Sequence, residues 1–211
     1  MPMSEKVNGF LVLRKSGTMD TVEPYKRLFR VGAKEYRGME RAHLYDIDED
    51  YIKKKLPPDL HIIIKKNHEE SNDLLFVELI RDLEEAKKIL QYVRGKNDLS
   101  ELIAIRSDII SEIKGTVDID PAEIEWLGYD ILSFGGDSLI LNGIFFKPDH
   151  FSKWIPWIND NGLFAGKEQV QAYIDDYLQL ASDDIVEDHI PSPYRFDAVR
   201  IGRVLPVNPM N

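Results

Sequence analysis

Apolar residues in this chain recur at two different spacings, and the order of those spacings restricts the fold more than any single motif does. Helical spacing is clearest in two segments. In "RDLEEAKKILQYVRG", Leu83, Ala86, Leu90 and Val93 fall on one face. Asp82 is placed to accept from the open amides of the first turn, Glu85 can complete a capping box, and Gly95 supplies the stop. In "GKEQVQAYIDDYLQLAS", Val170, Tyr173, Ile174, Tyr177 and Leu178 line one side. A third segment, "PDHFSKWIPWIND", reads as helical but must bend or restart at Pro156, which has no amide hydrogen to donate.

Between these lie short runs rich in branched residues. "GFLVLRK" predicts a strand from Gly9 to Arg14, "DLHIIIKKN" a second from Leu60 to Lys65, and "DLLFVELI" a third, with "NHEESND" as the intervening turn. "ELIAIRS", "EIEWLGYDILS" and "DAVRIGRVLPV" add three more, and Ser107 or Asp108 caps a short helix in "DIISEIKG". Strands and helices do not alternate regularly. The expected class is therefore α+β, a mixed, mainly antiparallel sheet with several packed helices, rather than a doubly wound parallel sheet. No internal repeat is legible. The 211 residues can form one globular domain over 1–211, or two subdomains, 1–95 and 98–211, meeting at "GKND".

Charge narrows the choice of partners. With 37 acidic and 27 basic residues the formal net charge is −10, which repels nucleic acid phosphates and anionic lipid and suits a protein partner with a basic face. Acidic residues concentrate in "YDIDEDY" (Asp46, Asp48, Glu49, Asp50) and in "SDDIVED" (Asp183, Asp184, Glu187, Asp188). Such clusters are ordinarily solvated loops and helix ends, and they also steer association with a basic partner. Trp154 and Trp157 lie three apart, a spacing that serves core packing and equally an exposed aromatic anchor; Trp157 is the candidate for the anchor. No export signal or membrane-length apolar run is present, so the cytoplasm is the expected compartment.

Few residues carry chemistry. The chain has no cysteine, which removes disulfides, thiolate metal sites and cysteine nucleophiles. His43, His61, His68, His150 and His189 are scattered, without the pairing of a zinc helix. Asp46, Asp48 and Asp50 match the start of a calcium loop, but Tyr51 stands where the turn needs glycine and Pro57 where the bidentate glutamate belongs. No cofactor is expected. "FGGDSL" spells the phosphopantetheine-accepting word of carrier proteins around Ser138, which defines an alternative carrier or enzymatic reading. Asn142-Gly143 and Pro148 follow too soon for the long helix a carrier needs, and favour a loop between two strands, with Leu139 to Phe146 as the second. Ile140 also stands where a hydrolase elbow requires glycine.

The stretches "WLGYDI", "SLILNGIF", "INDNGLF" and "AVRIGRV", spread over Glu123 to Val204, resemble a family of small bacterial proteins, some of them immunity-type proteins of polymorphic toxin systems. What the resemblance implies is a cytoplasmic, non-catalytic protein that binds a cognate toxin and blocks it, with a basic toxin as the partner. It brings no active-site residues.

Overall fold

The structure, a computed structural model, describes residues 4–15, 39–41, 57–71, 79–94, 100–132, 140, 148–159, 161–182 and 197–206. In chain order the described elements are β1 (Glu5–Val7), β2 (Gly9–Lys15), β3 (Met39–Arg41), α1 (Pro58–Ser71), α2 (Leu83–Arg94), β4 (Ser100–Arg106), α3 (Asp108–Lys114), β5 (Val117–Ile119), a 3-10 turn (Pro121–Glu123), β6 (Ile124–Leu132), α4 (Pro148–Phe151) running into a 3-10 helix (Ser152–Trp157), α5 (Lys167–Ser182) and β7 (Asp197–Val204). Five strands form an antiparallel sheet in the order β3-β2-β4-β7-β6, and β1 pairs with β5 in a separate two-stranded ribbon. The class is α+β.

Directly paired residues share a face, so the register sorts the side chains. One face carries Phe10, Val12, Leu102, Ala104, Gly202, Val204, Ile124 and Trp126. There α1 and α2 bury Leu60, Ile63, Ile64, Ala86 and Ile89. Further along the same face, Tyr129, Ile131 and Ala198 receive α5 and the α4 segment through Phe151, Phe164, Val170 and Tyr173. The opposite face also has an apolar patch, with Leu11, Ile103, Ile105, Val199 and Ile201 packed with Leu127 and Leu163, beside the ion pairs of Arg203 with Glu101 and Glu125. A sheet buried on both faces explains why its strands read as near-continuous apolar runs.

Two short straps pair with β2, at the end that β3 does not cover, and with the outer strand β6. Ile80 exchanges both backbone hydrogen bonds with Phe10 (2.8 and 3.0 Å), and Phe164 does the same with Tyr129 (2.8 and 3.0 Å). Each strap lies against a glycine. A Cβ on Gly9 would sit 2.8 Å from the Ile80 carbonyl oxygen, and one on Gly128, whose φ is +143°, 2.7 Å from that of Phe164. Only glycine admits the strap at either place.

Three expectations require correction. The stretch expected as a strand at 60–65 and a turn at "NHEESND" is helical through Ser71. Pro58 occupies the first helical position and Asp59 the first turn, both favourable there, and the isoleucines obey the helical period. Leu60, Ile63 and Ile64 are buried, whereas Ile62 is exposed. Packing has overridden the strand preference of branched residues. Of "DLLFVELI", the described Leu79 and Ile80 form a strap with one bridge rather than a full strand. Ile140, expected within a strand after the "FGGD" turn, is helical and buried; Ser138 lies outside the described residues.

Candidate interaction surface

Trp154 and Trp157 share one turn but not one environment. Pro156 interrupts the hydrogen-bond ladder, and the chain continues from α4 as a 3-10 helix with the proline inside it. Trp154 turns inward. Its ring meets Tyr173 edge-on at 5.5 Å and Phe164 at 6.0 Å, joining Phe151 and Tyr177 in one aromatic cluster. Trp157, at the end of the 3-10 helix, points out and is 55 % exposed.

What fixes this turn is Asp176 on α5. Its carboxylate accepts hydrogen bonds from Trp154 Nε1 (2.7 Å) and Lys153 Nζ (2.9 Å), and His150 Nε2 lies at 3.3 Å. Burial pushes the Asp176 carboxyl up, but these hydrogen bonds together outweigh it and leave the group below the usual aspartate range. Three side chains of one turn are thus tied to a single charged residue. Burial also raises the Tyr177 phenol beside them.

Downstream, Asn159 folds the chain back. Its Nδ2 donates to the Leu127 carbonyl (2.7 Å), and its Oδ1 accepts from the amides of Asn161 and Leu163 (2.9 and 3.2 Å). Ile158 then bridges Phe164, two residues before Gly166, whose amide donates to Gln169 Oε1 at 2.9 Å and so opens α5. Lys167, the first residue of α5, reaches Asp108 Oδ2 at 2.6 Å, and its hydrogen bond and charge lower the Asp108 carboxyl. α3 is thus tied to the first residue of α5, and Ile158, next to Trp157, to the strap three residues before it.

α3 is short, and it is held from below. Ser107 Oγ accepts the Ile110 amide (2.9 Å), Gly115 donates back to the Ser111 carbonyl (2.9 Å), and Ile110 turns inward. The fully buried Asn8 accepts the Ser107 amide and donates to Ser111 Oγ (2.9 Å) and the Gly115 carbonyl (3.1 Å). Ile109 and Ile113, one helical turn apart, are 41 % and 51 % exposed. Together with Trp157 they are large apolar side chains shown to solvent by elements that hydrogen bonds make rigid. That combination suits recognition of another macromolecule, because little ordering remains to be done on binding.

Of the residues singled out in the sequence, Trp157 is on this surface. Asp46, Asp48, Asp50, Asp183 and Asp184 lie outside the described residues. Ile109 and Ile113 were missed because the sequence does not mark them. The three isoleucines of "DIISEIK" span an arc of about 100°, which a helix ordinarily buries whole, yet only Ile110 is turned inward. Among the described residues no group of three or more His, Asp or Glu side chains is placed to hold a metal ion, and no helix is long and apolar enough to cross a membrane. Comparison with protein-family models, curated proteins and solved structures finds no match to the chain.

Proposed function

We propose that this protein works by binding another protein, without catalysing a reaction, and that the surface formed by Trp157, Ile109 and Ile113 is where it docks. The observation that carries the reading is Trp157 itself, a tryptophan more than half exposed on a turn anchored by Asp176. Aromatic side chains of this kind dominate binding energy when a partner closes over them. The net charge of −10 favours a partner with a basic rim. The resemblance of the second half to immunity-type proteins supports a specific form of the reading, in which the partner is a bacterial toxin that the bound protein neutralises in the cytoplasm.

The test is co-expression with the product of the neighbouring toxin-like gene, followed by purification of the complex. Recovery of a stoichiometric complex, weakened by Trp157→Ala and with the toxin inactive in it, is the expected result. If the neighbouring product is neither bound nor neutralised, while the purified protein turns over a small molecule, the binding reading fails.

A further inference from the structure

We infer that the chain is an internal duplication: two copies of a strand–helix–strap–helix–strand unit, joined in tandem, with the α3 segment inserted into the first copy. The first copy comprises β1, β2, β3, α1, the Leu79–Ile80 strap, α2, β4 and β5; the second comprises β6, α4 with its 3-10 helix, the Leu163–Phe164 strap, α5 and β7, and β3 has no counterpart among its described residues.

The correspondence extends to single residues. Gly9 pairs with Ile105 as Gly128 pairs with Ile201, and Val12 with Leu102 as Ile131 with Ala198, with every pair between them in step. The straps fall on the residue after each glycine, Phe10 and Tyr129. A leucine precedes the bridging residue in both, and its Cβ would meet a glycine Cβ at 2.9 Å (Leu79) and 2.8 Å (Leu163). The long helix starts at the third residue after each bridge, at Leu83 and Lys167, and buries equivalent positions, Ala86 and Ile89 against Val170 and Tyr173. α1 and α4 both open on Pro-Asp.

The copies meet as subunits of a two-fold dimer would. In the seam between β4 and β7, Ile105 faces its own counterpart Ile201. The flanking pairs, Ala104 with Gly202 and Arg106 with Arg200, exchange under the same rotation. An antiparallel pair of unrelated strands has no reason to be in the register that makes a two-fold axis.

The ribbon of β1 and β5 completes the match. Glu5, Lys6 and Val7 pair with Ile119, Asp118 and Val117 as Ile124, Glu125 and Trp126 pair with Val204, Arg203 and Gly202. Asn8 then stands where Leu127 makes the bulge in β6. The second copy runs directly from Ile201 to Gly202, whereas the first leaves the sheet after Arg106, forms α3, and returns at Val117. α3 is thus an insertion, and Asn8 is the residue that accommodates it.

This inference is independent of the binding reading, and excision tests it. Removing Arg106–Thr116 joins Ile105 to Val117 as Ile201 is joined to Gly202. The excised chain should still unfold cooperatively in a thermal melt followed by circular dichroism. Asn8→Leu should raise its midpoint, because leucine is what the second copy places there and the asparagine has lost its partners. In the intact chain the same substitution should lower the midpoint by about 4 °C or more, since it strips α3 of its buried hydrogen bonds. A cooperative melt of the excised chain supports the equivalence of Ile105–Val117 with Ile201–Gly202, and the reversal of sign shows that Asn8 serves α3. If Asn8→Leu lowers the midpoint in both chains, the duplication is wrong. Should excision leave nothing folded, the reciprocal graft decides: Arg106–Thr116 placed between Ile201 and Gly202, with Leu127→Asn. A cooperative melt with added helical signal supports the duplication, and a grafted chain that also fails to fold overturns it.

Discussion

Trp154 packs on Tyr173 and Phe164 while Trp157, three residues on in the same 3-10 helix, is exposed, and their substitutions should differ accordingly. Trp157→Ala should leave the unfolding free energy within about 0.5 kcal/mol of the parent, as removal of an exposed side chain does. It should weaken partner binding by about 2 kcal/mol or more, read as a dissociation constant. Trp154→Ala should do the reverse, lowering stability by about 3 kcal/mol in urea unfolding through lost aromatic packing. Asp176 supplies a pH test. Its carboxyl lies below its ordinary value when folded, so its contribution is complete above the unfolded pKa of about 3.9 and is lost as pH falls through the folded value. Asp176→Asn should therefore make the loss of stability below about pH 4 shallower than in the parent, measured as urea midpoints from pH 5 to pH 2. At this scale the sequence already presented Trp157 as a candidate. It gave no physical ground for preferring Trp157 over Trp154, because a spacing of three puts both on one face of a helix; the structure holds both in one 3-10 helix, with Trp154 in the aromatic cluster and Trp157 at its exposed end.

The elements were legible wherever local pattern and final packing agree. β2, β4, β6 and β7, the capped helices α2, α3 and α5, and the distortion at Pro156 all follow from spacing and caps. Asp82 does accept from the amides of Glu84 and Glu85, both at 2.9 Å, while the Glu85 carboxylate engages Lys66 of α1 (3.3 Å) instead of closing a capping box. α1 was misread because three consecutive isoleucines satisfy strand propensity, and only the contact with α2 selects the helical period. The straps were illegible for another reason: one bridge carries almost no pattern. Their mark in the sequence is a glycine far away, and this makes a prediction. Gly9→Ala and Gly128→Ala should each lower stability by about 1–3 kcal/mol and by similar amounts, since both push a strap carbonyl off a sheet edge. Ile109→Ser and Ile113→Ser, on the open face of α3, should change stability by no more than about 0.5 kcal/mol. Urea unfolding of the four variants separates the two classes.

For the whole molecule, a net charge of −10 opposes self-association and favours a partner of opposite sign. Association with such a partner should slow as salt rises, because the Debye length contracts from about 10 Å at 0.1 M to about 3 Å at 1 M. Neutralising Asp183→Asn together with Asp184→Asn should slow association more than it speeds dissociation, a split that stopped-flow mixing resolves. The repeat escaped the sequence because the copies share only what their geometry demands, such as a glycine under each strap and a leucine beside it. The seam at Ile105 and Ile201 has a consequence for inheritance. A dimer of identical subunits receives every substitution on both sides of its axis, so a change useful at one surface is also imposed on the other. In one continuous chain each copy varies by itself. One copy could then take on α3 with its two isoleucines, and the other could turn a tryptophan outward, while the paired strands between them kept the register they shared.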